Sequence, residues 1–99
     1  NYLIQKGYKI LERNINLRYA EIDILAEYKK IIVICEVKRV RGEGFGEAKE
    51  LVRYQKKKKL LLAGRAMEQR YPKQDIRIDV ISIDHRGMVE HLENAVNFE

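Results

Sequence analysis

Ninety-nine residues, 45% apolar and 35% charged with a single proline, specify one small globular domain, residues 1–99, with a modest core and no room for a second. This composition excludes a disordered or low-complexity chain, and no apolar run approaches the roughly 20 residues that span a bilayer. The formal net charge is +5, and residues 36–59 hold nine Lys/Arg against four Asp/Glu, so all of the excess lies there while the other residues balance.

In chain order, residues 2–6 read as the last turn of a helix that begins further upstream, stopped by Gly7 in a C′ role. Tyr8 to Ile15 alternates as a first strand, Asn16-Leu17-Arg18 turns the chain, and AEIDILAE over 20–27 is a second strand. Tyr28-Lys29-Lys30 connects it to a third strand over 31–39. The glycine-rich RGEGFG, 41–46, is a loop. A long helix runs from Glu47 to about Arg70, with Ala48, Leu51, Val52, Leu62, Ala63 and Ala66 on its apolar arc, and Pro72 ends it. IRIDVISI, 76–83, and MVEHL supply two more strands. Helix end, three strands, long helix and two strands predict an α/β sandwich with a mixed sheet. The lone Cys35, mid-strand between apolar neighbours, is expected in the core of a cytoplasmic protein, because one cysteine forms no internal disulfide.

Two of these strands carry ionisable groups where a strand would bury them: Asp23 in EIDILA and Glu36 in IIVICEVK. Burying a carboxylate is costly unless cations or hydrogen-bond donors compensate. Setting Ala26 opposite Ile31 places Glu21, Asp23, Glu36 and Lys38 on one face, with Asp23 and Glu36 diagonal neighbours; a two-residue shift sets them directly opposite, again on one face. Two carboxylates and the Val37 backbone carbonyl form an oxygen donor set suited to Mg²⁺ or Mn²⁺ rather than zinc. Such an ion activates water and steadies charge on phosphate, and Lys38 beside it orients that water or neutralises developing charge. The alternative is an ordinary Glu-Lys alternation on a solvent-facing strand edge.

The basic segment follows directly. Arg39 and Arg41 flank the glycine loop, and Arg53, Lys56 and Lys57 lie on the helix; all five are candidate contacts to a nucleic-acid backbone. Lys56 sits at the margin of the apolar arc. Lys59 falls nearly within it and is expected to run along the protein surface. Phe45 is expected to pack beneath the loop. Neither His85 nor His91 has a partner at ligand spacing, so neither receives a role. The alternative for the whole segment is solubilising charge on one helix face.

The ordered set Gly7-Tyr8, Ile10-Leu11, Arg13-Asn14, EIDILA, EVK, Phe45-Gly46, Lys56 and Asp79-Val80 resembles the YraN family of uncharacterised bacterial proteins. That family is similar to the restriction-endonuclease-like PD-(D/E)XK superfamily, near archaeal Holliday-junction resolvases. The resemblance implies an αβββαβ core with helices flanking a mixed central sheet, and Asp23, Glu36 and Lys38 in the nuclease positions. Ile22 stands where the superfamily has proline, Ala20 where the family usually has glycine, and Arg39 where it usually has threonine or serine. Related resolvases also use a first-helix glutamate for metal binding, and Glu21, on the face of the other carboxylates, is the candidate substitute.

The expected function is a metal-dependent, nuclease-like protein that binds DNA, branched or flapped forms included, through backbone phosphates and hydrolyses phosphodiester bonds by structure rather than sequence. A domain this small cuts two strands as a homodimer or by successive nicks. Two alternatives stay open: an inactive nucleic-acid-binding module of the same fold, and a protein-interaction domain with a basic face. No membrane association is expected.

Overall fold

The structure, a computed structural model, describes residues 2–39 and 54–96, with only the backbone described for 54–56. The elements are α1 (Tyr2–Gln5), β1 (Lys9–Asn16), β2 (Glu21–Tyr28), β3 (Ile31–Arg39), α2 (Tyr54–Arg70), β4 (Ile76–Ile83) and β5 (Val89–Leu92). The five strands form one sheet in the order β1-β2-β3-β4-β5. All neighbours are antiparallel except β3 and β4, which run parallel. A parallel pair needs a long crossover, and α2 lies within the one that joins β3 to β4. This mixed sheet with flanking helices matches the expected α/β architecture and is compatible with a restriction-endonuclease-like core.

Strand alternation divides the core between the two faces of the sheet. On the α2 side, Leu25, Ile32, Ile34 and Ile78 pack against Leu60, Ala63 and Met67 of the helix. On the other side, Leu3 of α1 packs with Tyr8, Ala26, Val33, Cys35 and Ile81. Burying each large aliphatic side chain contributes about 1.5–3 kcal/mol. Cys35 is fully buried, and burial pushes its thiol up to about 12, so it is an inert core group.

Local chemistry sets the element ends. After α1, the Gly7 N–H bonds the Ile4 carbonyl and the Tyr8 N–H the Leu3 carbonyl, with Gly7 at φ +93. This is a Schellman cap, with the glycine where one is expected. β1 carries a bulge between Ile10 and Glu12.

Of the two registers read from the sequence, the structure has the second: Tyr28 stands opposite Ile31 and Ile24 opposite Cys35, shifted by two residues from the Ala26–Ile31 pairing. The cause is a two-residue turn in which Lys29 and Lys30 both take positive φ, the conformation that lets a tight hairpin follow the strand twist. One expectation is corrected, because the apolar stripe of α2 is rotated: Leu60, Ala63 and Met67 are buried, whereas Leu62 is exposed. The RGEGFG loop with Arg41 and Phe45, the helical residues 47–53 with Arg53, and the Lys56 side chain lie outside the described residues.

Candidate functional site

Glu36 sits where β3 leaves the core. Its alternation partners Ile32 and Ile34 face α2, so Glu36 and Lys38 face that side too. Asp23, on the adjoining strand, lines the same cleft as Glu36 and Lys38. The two-residue turn brings this about, because the observed register carries Asp23 toward Glu36 rather than toward Ile34.

Regular β2–β3 pairing ends at Ile24 and Cys35. Beyond it the Val37 N–H donates to Asp23 Oδ2 at 2.8 Å. A side-chain carboxylate thus replaces a ladder carbonyl as β2 and β3 part, while β3 continues along β4 to Arg39. The parted strands form the floor of a cleft of about 540 Å³, lined among others by Glu21, Asp23, Glu36, Val37 and Lys38. The β1–β2 turn, residues 17–20, walls one side, and Lys59 and Leu60 of α2 wall the other.

Glu36 is only 6% exposed. Lys38 Nζ lies 3.7 Å from its Oε2, with the lysine side chain partly open to solvent. The pairing offsets part of the cost of burying a carboxylate and fixes an ammonium next to the acid. Asp23 is half-buried and Glu21 exposed. Among the described residues no group of three or more His, Cys, Asp or Glu side chains is clustered for a metal. The residues of the cleft that could offer oxygens to an ion are Asp23, Glu36 and the Val37 carbonyl. A carboxylate holds about four lone-pair sites, so accepting from Val37 leaves Asp23 capacity for an ion. So spare an oxygen set fits Mg²⁺, which keeps several waters or substrate oxygens of its own.

Of the basic candidates, Arg39 ends β3 exposed and Lys57 is exposed on α2; neither lines the cleft. Lys59 does. Rotation of the apolar stripe toward Leu60 brings Lys59 to the helix edge that faces the carboxylates, and its nearness to the apolar arc in sequence was the available signal.

His91 is a second residue that sequence reasoning missed. On the face opposite the cleft, fully buried Asp79 is bonded by His91 Nε2 at 2.6 Å, by Arg77 through Nε and an Nη at 2.9 Å each, and by the Asn94 N–H at 2.9 Å. Burial alone would raise its pKa, but these hydrogen bonds outweigh burial and hold the carboxyl below its usual value. The same Arg77 Nη also donates to the Tyr8 hydroxyl at 2.6 Å, and Tyr2 is hydrogen-bonded to His91 Nδ1 at 3.0 Å. Burial pushes the Tyr8 hydroxyl up to about 12. Asp79 is thus occupied in tying β4, β5 and α1 together, away from the cleft.

The model of uncharacterised protein family UPF0102 matches residues 1–83. The chain is 46% identical over 99 residues to a UPF0102 protein of Thermodesulfovibrio yellowstonii, covering 96% of this chain and 85% of that one. It is 40% identical over 101 residues to one from Syntrophomonas wolfei, covering 95% and 86%, and 34% identical over 100 residues to one from Persephonella marina, covering 99% and 85%. With most of its length matched by the family model and by these relatives, the chain belongs to the uncharacterised protein family UPF0102, the YraN family expected from its motifs.

Proposed function

We propose that this protein binds the phosphate backbone of nucleic acid, DNA first, in the Asp23–Glu36–Lys38 cleft and hydrolyses phosphodiester bonds there with a divalent ion. The observation that carries this reading is one cleft shared by two carboxylates from adjoining strands and ammonium groups of Lys38 and Lys59. Acids to hold a cation beside bases to hold a polyanion are what a metal-assisted phosphodiesterase needs.

Asp23, Glu36 and the Val37 carbonyl would hold the ion, which when bound supplies Lewis-acid chemistry at phosphate and acidifies water. Lys38 neutralises charge that grows on a non-bridging oxygen during attack. Asp23, itself steadied by the Val37 N–H, keeps the parted strands at a set spacing. Lys59 and Arg18 on opposite walls draw the backbone in. One cleft cuts one strand, so both strands of a duplex require a second copy of the chain or successive nicks.

The test is incubation with Mg²⁺ or Mn²⁺ and linear, flapped and branched DNA. Glu36→Gln and Asp23→Asn are expected to abolish cleavage, and Lys38→Ala to slow it by about 10²–10³, the scale of losing one preorganised charge-stabilising group. Absence of cleavage on every substrate by wild type would remove the catalytic claim. That no three His, Cys, Asp or Glu side chains cluster among the described residues favours one further reading, a module that binds the backbone without cutting it. That reading predicts salt-sensitive binding that persists in EDTA and in Glu36→Gln.

A further inference from the structure

We infer that Tyr19 is a base-stacking platform at the mouth of the cleft, and that the cleft therefore takes nucleic acid with an unpaired nucleotide beside the bound phosphate. This rests on the proposed reading of the cleft as a phosphate-backbone site.

Tyr19 is 64% exposed, although its neighbours Ala20 and Ile22 are buried. Three other large apolar side chains are comparably exposed among the described residues, Ile4, Leu62 and Met88, and none lines the cleft, whereas Tyr19 does. Exposure of an aromatic ring forgoes the burial that makes such residues useful in a core, so folding does not account for the ring at this position. The ring is also presented firmly. The Leu17 N–H bonds the Ala20 carbonyl at 2.8 Å, closing the turn that carries it. The Arg18 guanidinium lies 5.2 Å from the ring centroid, a cation–π pairing.

An exposed aromatic ring with a guanidinium at its side, on the wall of a cleft whose lining holds Lys38 and Lys59 beside the three carboxylates Glu21, Asp23 and Glu36, offers what single strands are held by: cations track the backbone and the ring takes a base by its face. In an intact duplex every base face is covered by its neighbours, so the platform gains nothing. A single strand, flap or bulge offers a free base face. The Tyr19 ring thus selects unpaired nucleotides and leaves duplex binding to the charges.

Anisotropy of labelled oligothymidine, the same oligomer with abasic sites, and a blunt hairpin duplex, measured in Ca²⁺, tests this. Wild type is expected to prefer oligothymidine over both others. Tyr19→Ala should lose about tenfold in affinity for oligothymidine, the scale of one stacked base, with the duplex affected less than about twofold and the salt slope retained. Tyr19→Phe, which keeps the ring, should bind as wild type. Oligothymidine binding unchanged in Tyr19→Ala, with Lys59→Ala still weakened, overturns the stacking role and leaves the phosphate site standing. Failure of wild type to bind any of the three overturns both. Far-UV circular dichroism checks that each variant is folded.

Discussion

Asp79 shows at the level of one residue how a buried carboxylate can serve the fold. Its carboxylate is enclosed by Arg77, His91 and the Asn94 N–H. Removing it strands two buried or half-buried partners, so Asp79→Ala should cost about 3–5 kcal/mol in urea unfolding. Its lowered folded pKa gives a sign for acid as well. The stabilisation is present above the unfolded value of about 3.9 and is lost as pH falls through the lower folded value. The acid-induced fall in melting temperature should be shallower in Asp79→Asn than in wild type. Asp23 behaves differently, because Asp23→Asn keeps an oxygen for the Val37 N–H. It should retain the stability that Asp23→Ala loses, about 1 kcal/mol, while both lose any gain in melting temperature conferred by Mn²⁺. Both carboxylates of the cleft were legible in sequence, since charged groups among alternating β-branched residues declare their own face. His91 was not legible, because its partner Asp79 lies 12 residues away on a neighbouring strand and only the β4–β5 pairing brings them together.

At the scale of elements, the hairpin joining β2 and β3 decides the geometry of the cleft. Lys29 and Lys30 hold positive φ without the freedom of glycine. Gln74 Nε2 steadies the turn through the Lys30 carbonyl and Glu27. Left-handed backbone costs a non-glycine residue roughly 1–2 kcal/mol. The double substitution Lys29→Asn with Lys30→Gly supplies the asparagine–glycine pair this turn favours. It should stabilise the protein by about 1 kcal/mol and raise its melting point by several degrees. The same lysines hid the register. Two charged residues look like an open loop, so the sequence left two registers open, and the turn selects the second. Strand identities were legible all the same, since a two-residue shift preserves facing. The phase of α2 was less so, because its expected arc leaned on residues before Tyr54 and on Leu62, whereas among the described residues Leu60, Ala63 and Met67 are the buried ones.

For the molecule as a whole, the two faces of the sheet have separate work. One is pinned by the Asp79 network and α1; the other carries α2 and the cleft. The surplus positive charge, confined to residues 36–59, follows the acidic strand and continues into the helix opposite it. If this surface meets a polyanion, affinity should fall steeply with salt, by about one logarithmic unit of slope per phosphate contacted. Lys59→Ala should reduce that slope by about one, measured by titration across ionic strengths. The overall α/β order was readable because each segment keeps its own period over enough residues. The wall that faces the carboxylates was not, since it depends on how a helix remote in sequence is rotated against the sheet.

The parting of β2 and β3 has a mechanical consequence. Past Cys35 the acidic residues ride on two tines of a fork, one borne by β2 against β1 and the other by β3 against β4, with the Asp23–Val37 bond as the link between them. Spreading the tines breaks that link and leaves the ladder below intact, so the gap between the carboxylates can widen or narrow at small expense to the fold. Deuterium should enter the Val37 amide well before that of Ile34, and filling the gap with a divalent cation should slow it.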